Sequence, residues 1–160
     1  MAIITLNNNS LSSVTSLPAG VGGKVLQVVN ATDGTDRTTT SSSFVTGSNT
    51  LSVNITPSST SNKIFVICST NAHLNTTPYA RYYTIFRDST NLGQVNNGMS
   101  AIYAENNADI VSSLVMSYLD SPSTTSQLTY QVYFKASSSQ TAFLNWNSNV
   151  GSITAYEIAG

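Results

Sequence analysis

The chain has 160 residues, of which 8% are charged, and its formal net charge is −1 at pH 7. An average globular protein has roughly 25% charged residues, so this composition excludes a basic patch that could neutralise nucleic-acid phosphates. The 26 serines, 21 threonines and 17 asparagines that take the place of charges are poor helix formers, and they predict an all-β domain with many turns.

Residues 1–22 differ in pattern from the rest of the chain. Aliphatic side chains are spaced irregularly among Asn, Ser and Thr, and a Gly-rich breaker at residues 18–23 follows them. A disordered tail is one interpretation, but so many aliphatic side chains are unusual in a segment that stays in water. We therefore predict an N-terminal arm that docks on another chain. Its docking residues are Ile3, Ile4, Leu6, Leu11, Val14 and Leu17.

Residues 23–160 carry eight or nine strand-like segments separated by turn signals. Leu51, Val53 and Ile55 alternate with polar residues, as in a strand with one buried face. Residues 63–69 form a continuous apolar run, which predicts a central strand covered on both faces. Residues 94–109 are polar and are expected to form a long surface loop. The predicted strands are 24–30, 49–56, 63–69, 82–87, 110–119, 128–136, 141–146 and 152–158, with 38–44 as an edge strand or a coil.

Two of these segments, 110–119 and 128–136, are separated only by the polar turn 120–126. We predict that they pair as a two-stranded antiparallel unit. No window of the sequence shows a helical period. Many short strands with turn signals between them predict a β-sandwich or a jelly roll.

The chain offers no recognisable catalytic constellation. His73 is the only histidine, and its sequence neighbours supply neither a nucleophile nor a carboxylate, so we expect it in a loop or at a strand end. Asp88, Asp120 and Glu157 are the candidates for a pair of glycosidase carboxylates, although the first two occupy positions typical of turn-capping aspartates. We therefore predict that the protein is not an enzyme, and we assign no catalytic residue.

Metal and cofactor sites are not expected either. Cys68, the only cysteine, lies in an apolar run and is predicted to be a small buried hydrophobic residue. Zinc-binding Cys and His clusters are absent. Residues 33–36 resemble a calcium loop but lack the further ligands, so a turn is preferred. No apolar run reaches the roughly 18 residues of a membrane-spanning helix. Neither nucleic acid nor a membrane is an expected partner.

Eight tyrosines and one tryptophan are many for a core of this size. Because tyrosine is favoured at protein interfaces, we predict that several aromatic residues lie between subunits, with ordinary core or edge positions for Tyr130 and Tyr156 as the alternative. The predicted interface residues are Tyr118, Tyr130, Tyr133, Phe134 and Tyr156. Candidate ligand-binding loops carry Tyr79, Tyr82, Tyr103 and Trp146, and Trp146 with Asn145 and Asn147 could form a carbohydrate site.

Several short motifs occur in a fixed order between residues 23 and 160: GKVLQVV, ITPSSTSNKIFV, FRD, YLDSPSTTSQLTYQVYF and SITAYEIAG. In this order they resemble a family of small virion proteins from tailed phages, especially marine and cyanobacterial ones. The head domain of that family is similar to the trimeric jelly rolls of the tumour-necrosis-factor and C1q type. The resemblance implies an all-β, antiparallel jelly-roll sandwich in residues 23–160 and a homotrimer on a virion surface. The arm predicted above precedes this domain.

The resemblance also suggests where such a protein acts. Long tail-fibre proteins carry this kind of module at their C-terminal end, whereas here it makes up nearly the whole sequence. We therefore expect a capsid decoration or cement protein, or a short head fibre, which is assembled in the host cytoplasm and anchored to the major capsid protein or another virion protein. The alternative is a tail-fibre tip that recognises a host surface glycan, and a depolymerising enzyme is the third hypothesis.

Overall fold

The structure is a computed structural model that describes residues 24–75, 79–105, 109–138 and 140–160. Within these residues, eleven strands form two antiparallel sheets. The first sheet consists of β1 (Val25–Asp33), β2 (Arg37–Thr39), β4 (Lys63–Leu74), β8 (Ile110–Asp120), β10 (Ala142–Leu144) and β11 (Gly151–Ile158). The second consists of β3 (Ser52–Ile55), β5 (Arg81–Arg87), β6 (Thr90–Asn91), β7 (Ser100–Ile102) and β9 (Leu128–Ala136).

The connections between strands give the fold its topology. In the first sheet the neighbours run β1, β11, β4, β8, and β10 and β2 extend the same sheet beside the end of β4. In the second sheet the neighbours run β3, β9, β5, β7. The chain crosses from one sheet to the other after β2, β3, β4, β7, β8 and β9. This alternation between two antiparallel sheets confirms the predicted jelly-roll sandwich, while the arm, residues 1–22, lies outside the described residues.

The core lies between the two sheets and follows from the alternation of the strands. In β9, the side chains of Leu128, Tyr130, Val132 and Phe134 are buried, and those between them are half-buried on the outer face. Such a period of two places alternate side chains on opposite faces of a sheet. Cys68 is fully buried in this core, as predicted, and burial raises the pKa of its thiol to about 12.

Several strands differ from their predicted bounds. β4 continues to Leu74, so His73 is its penultimate residue and lies at a strand end, one of the two predicted places. Residues 94–109 are not only a loop, because β7 (Ser100–Ile102) pairs with β5 there. The uncertain segment 38–44 contains the end of the short strand β2. Strand β9 has the predicted bounds.

The predicted pairing of residues 110–119 with residues 128–136 is wrong. β8 pairs with β4 in the first sheet, and β9 lies between β3 and β5 in the second. The polar segment between β8 and β9 therefore crosses from one sheet to the other. β8 and β9 each have one buried face. Because they belong to different sheets, these two faces pack against each other in the core, which would not happen if the strands were neighbours in one sheet.

Candidate functional site: the outer face of the first sheet

Exposed apolar side chains are concentrated on two strands of the first sheet. β1 and β8 are its outer strands, and seven of their large hydrophobic residues are 39–59% exposed. In the described part of the chain, only four other large hydrophobic residues are comparably exposed. Isolated exposed apolar residues are normal, whereas a cluster marks an interaction surface. The seven residues are Val25, Leu26, Val28, Val111, Val115, Tyr118 and Leu119.

A row of opposite residues runs across the first sheet from β1 to β8. Val28 is opposite Tyr156, Tyr156 is opposite Phe65, and Phe65 is opposite Leu119. Residues directly opposite each other in a sheet have their side chains on the same face. The rings of Phe65 and Tyr156 are in contact, with centroids 6.2 Å apart. These four residues form a continuous row over four strands, about 14 Å wide at ~4.8 Å per strand, which we call the apolar band.

The apolar band also qualifies the prediction of a doubly covered central strand. The inward side chains of β4, Ile64, Val66 and Cys68, are fully buried. Its outward side chains, Phe65 and Ile67, are only half-buried. Within one chain, only the inner face of β4 is covered by the second sheet. The apolar residues on its outer face lie at the surface.

The predicted interface residues are divided among three places. Tyr156 lies in the apolar band, and Tyr118 is exposed on the edge strand β8. Tyr133 lies on the opposite side of the molecule, on the outer face of the second sheet, where its ring stacks on Phe86 at 4.1 Å. Tyr130 and Phe134 are fully buried between the sheets. These two are core residues, so their assignment to an intersubunit surface is corrected.

The candidate ligand-binding residues lie at one end of the sandwich but on different sheets. Tyr79 precedes β5 and Tyr103 follows β7, and both are exposed. Tyr82 is not in a loop but on β5, where the Lys135 ammonium lies 5.4 Å from its ring centroid. Trp146 lies against the first sheet, in a short 3₁₀ turn, Trp146–Ser148. Trp146 therefore lies beside a different sheet from Tyr82. A ligand site that includes these residues stays a prediction.

His73 lies under Trp146 at the end of the first sheet. Their ring centroids are 3.9 Å apart, and the Phe143 ring lies 4.9 Å from His73. A His73 ring nitrogen, Nε2, is hydrogen-bonded to Asp109, a carboxylate that its sequence neighbours did not reveal. Only 2% of His73 is exposed. The surrounding rings keep the imidazole from a substrate in solution, so the contact with Asp109 is structural.

Two of the candidate carboxylates, Asp88 and Asp120, have different roles. Asp88 accepts a hydrogen bond from the Thr129 amide at 3.0 Å, which agrees with its predicted place in a turn. Asp120 is not a turn cap. It is buried, accepts from Arg87 Nη1 at 2.8 Å and accepts from the Tyr130 hydroxyl at 2.6 Å.

Glu157, the third candidate, is also buried and fully engaged. It accepts hydrogen bonds at 2.6 Å from Asn62 Nδ2, Gln27 Nε2 and the Ser58 amide, and at 2.8 Å from the Ser58 hydroxyl. Burial alone would raise the pKa of Glu157, but these donors outweigh it and lower the pKa to about 2. A carboxylate with four donors stabilises the fold and has no capacity left for general acid–base chemistry.

The described parts of the chain lack two other kinds of feature. No group of three or more His, Cys, Asp or Glu residues there could hold a metal ion. None of the helical segments there has the length and hydropathy to cross a membrane.

Comparisons with known proteins leave the family open. No family model matches the chain, and no curated protein matches it. Among solved structures, the VP2 subviral particle of infectious bursal disease virus is similar with a TM-score of 0.39 and 13% identity, over 84% of this chain and 37% of that one. The T13 particle of the same virus gives a TM-score of 0.38 and 12% identity, over 85% and 36%. The chain thus spans little more than a third of these viral chains, and TM-scores below 0.5 do not establish a common fold.

Proposed function

We propose that this protein is a virion structural protein that assembles as a homotrimer through the outer face of its first sheet. The observation that carries the proposal is the apolar band, which crosses all four main strands of that sheet. In one chain Val28 and Leu119 are about half exposed and the two rings between them are half-buried. A second copy of the chain is the occupant that its neutral, apolar character favours. The trimeric state is inferred from the sequence motifs that resemble phage proteins with trimeric jelly-roll heads.

The edge strand β8 supports self-association independently. It has eleven residues, and its outward side chains between Val111 and Leu119 carry no charge. Long uncharged edge strands pair with other chains unless something covers them. β1, the opposite edge of the same sheet, is also apolar and exposed. Contact between one edge of a copy and a different surface of the next is heterologous, and such a contact closes into a ring under three-fold symmetry.

The energy available from such a contact is substantial. Full burial of a Val, Leu or Phe side chain contributes roughly 1.5–3 kcal/mol. Leu119 and Val28 are about half exposed in one chain, so each could contribute about 1 kcal/mol per subunit on assembly. The low net charge adds little repulsion between copies.

Within the virion, we propose a capsid decoration or cement protein, or a short head fibre, anchored by residues 1–22. Three arms in one trimer would bind a shell more tightly than one arm by avidity. The partners would be the major capsid protein or another virion protein. We do not assign an enzymatic role, because His73, Asp120 and Glu157 are buried and engaged in contacts that stabilise the fold.

Sedimentation equilibrium of the full chain at micromolar concentration tests the assembly. We expect a trimer, and a monomer would overturn the proposal. Deletion of residues 1–22 should leave a folded trimer that no longer co-sediments with capsids lacking this protein. A full-length trimer that binds no capsid, but binds host cells, would instead identify a tail-fibre tip.

A further inference from the structure

A polar cleft opens on the outer face of the first sheet, at the end away from the apolar band. Its volume is about 370 Å³, within the roughly 300–1,000 Å³ range of small-molecule sites. Asn71 lies six residues beyond Phe65 on β4, or about 20 Å along the strand at ~3.3 Å per residue. The cleft is complete within one chain. Its lining residues are Ser69, Thr70, Asn71, Val111, Ser113, Asn149 and Val150.

One wall of the cleft is a loop that the sheet holds in an unusual conformation. Asn145, Asn147 and Ser148 all have positive φ, between 56° and 60°. Such conformations are uncommon for residues other than glycine and persist where the surroundings fix them. The Thr70 hydroxyl is hydrogen-bonded to Asn145 Oδ1 at 2.6 Å, and Asn71 Nδ2 donates to the Trp146 carbonyl at 3.1 Å. The wall is therefore fixed to β4 and forms a stable shape.

The same corner holds unsatisfied polar atoms. Among the described residues, Asn71 Oδ1 and His73 Nδ1 are the buried side-chain polar atoms without a hydrogen-bond partner. They lie two residues apart on β4, on the same face. Buried polar atoms are almost always paired, and an exception calls for an explanation such as an additional molecule. Asn71 lines the cleft, so its unpaired carboxamide oxygen lies at the inner wall of the cleft, whereas His73 is covered by Trp146 and does not line it.

The lining defines the chemistry of that molecule. It offers hydroxyl and carboxamide groups together with two valine side chains, and no lining side chain is charged. Two carboxylates contact the corner, because Asp36 accepts from the Ser148 amide and Asp109 binds His73. The nearby cation, Arg37, is paired with Asp33. Carboxylates nearby disfavour an anionic ligand. Neutral hydroxyls and carboxamides pair with the hydroxyl groups of a sugar, and the valines offer contact to its C–H faces.

We propose that this cleft binds a neutral saccharide of one or two sugar rings. The site goes beyond the structural role proposed above. Every lining residue belongs to one chain, and two of them, Val111 and Ser113, lie on β8, whose outer edge the proposed trimer also uses. Trp146, the only tryptophan, supports the wall of the cleft through its carbonyl, which accepts from Asn71 and Asn149. Its fluorescence therefore reports on this corner without a label.

The test titrates the full chain with glucose, galactose, mannose, N-acetylglucosamine and their disaccharides, followed by tryptophan emission and calorimetry. We expect saturable binding of at least one neutral sugar, and weaker binding of the same sugar after sulfation or sialylation. An absence of binding to the whole panel, or a preference for the anionic forms, would overturn the proposal. Sedimentation of the same samples reports the oligomeric state separately, so failure of one proposal leaves the other measurable.

Variants locate the binding. Ser113→Phe places a ring in the cleft from an exposed position on β8 and should weaken binding at least about tenfold, the equivalent of about 1.4 kcal/mol. Thr90→Phe adds a ring at an exposed position on β6 of the second sheet, outside both the cleft and the proposed subunit contact, and should retain binding. If Ser113→Phe misfolds, Asn149→Ala removes a lining carboxamide from an exposed loop and should also weaken binding. Equal affinity in wild type and both cleft variants would place any sugar elsewhere.

Discussion

The hydroxyl of Tyr130 donates a hydrogen bond to Asp120 Oδ2 at 2.6 Å inside the sandwich. The contact joins β9 of the second sheet to the end of β8 in the first. Arg87 Nη1 lies 2.8 Å from both oxygens of Asp120 and satisfies the charge. Burial, together with the adjacent Asp120, raises the pKa of Tyr130 well above its usual range. The three residues fix the two sheets relative to each other at one end.

Removal of this hydroxyl should destabilise the fold. A buried hydrogen bond to a charged group contributes about 1.5–3 kcal/mol, so we expect Tyr130→Phe to lower the free energy of unfolding by that amount in urea titrations. Tyr133→Phe is the matched control, because Tyr133 lies three positions along the same strand but on the outer face. Its effect should stay within about 0.5 kcal/mol. Equal losses in the two variants would contradict a specific role for the contact with Asp120.

The low pKa of Glu157 makes stability depend on pH in a defined range. Its folded-state pKa of about 2 lies below the ordinary value of 4.5, so the stabilisation is complete above pH 4.5 and is lost as the pH falls towards 2. A shift of this size corresponds to about 3 kcal/mol. Unfolding of the wild type at a series of pH values should show stability falling through this range.

The Glu157→Gln variant isolates this contribution. It should be less stable than wild type at pH 7 by about 2–3 kcal/mol, because the four donors lose a charged acceptor. The difference between the two proteins should shrink as the pH falls. Glu105→Gln, at an exposed position, keeps Glu157 in place and should retain the wild-type dependence on pH. A constant difference between Glu157→Gln and wild type from pH 7 to pH 2.5 would be evidence against this assignment.

Gly98 closes a tight turn in which a side chain cannot be accommodated. Its φ is +66°, and a Cβ atom there would lie 2.4 Å from the Tyr83 carbonyl oxygen. We expect Gly98→Ala to lower the free energy of unfolding by at least about 2 kcal/mol, because left-handed backbone and a backbone clash both oppose it. Gly34→Ala is the control, since Gly34 is outside the left-handed region. Its Cβ would meet the exposed Val150 side chain at 3.3 Å and the Ser148 carbonyl oxygen at 4.0 Å, without a backbone clash. Thermal unfolding of both variants measures the difference.

The sequence predicted the strands better than it predicted their neighbours. Strand β9 and the burial of Cys68 follow from local hydrophobic pattern, which decides the face that a residue occupies. The pattern does not decide which edges pair, so the partner of β8 was wrong. The same pattern did place Tyr130 and Phe134 on one face of β9 and Tyr133 on the other, since even and odd positions of a strand face opposite ways. A single interface containing all three was therefore already inconsistent with a period of two.

Buried polar residues were harder to predict. Arg81 is fully buried, with Nε donating to the Thr141 carbonyl at 2.6 Å and Nη1 donating to the Tyr79 carbonyl at 3.0 Å. The Thr141 carbonyl comes from a loop sixty residues further along the chain, and no local sequence pattern indicates that contact. The same is true of His73, whose cover comes from Trp146, more than seventy residues further along the chain. Such contacts are set by tertiary structure. For the same reason the sequence indicated Trp146, Asn145 and Asn147 as a possible carbohydrate site but not the residues of β4 and β8 that line the cleft.

A charge in the apolar band should separate the subunits without unfolding them. Leu119 is 51% exposed in one chain, so Leu119→Glu should leave the unfolding of a monomer nearly unchanged. In the trimer, the outer face of the first sheet would contact another copy. The new carboxylate would be buried there without a partner, at a cost of several kcal/mol. We therefore expect sedimentation at micromolar concentration to show monomers for this variant and trimers for wild type.

Val95→Glu is the control for this experiment. Val95 is 77% exposed in the turn between β6 and β7 of the second sheet, outside the proposed contact. The same charge there should leave the trimer intact, because the side chain stays in water on assembly. A Leu119→Glu protein that remains trimeric would exclude the outer face of the first sheet as the subunit contact, even if wild type is a trimer. Dissociation of both variants would instead indicate that added negative charge, and not its position, separates the copies.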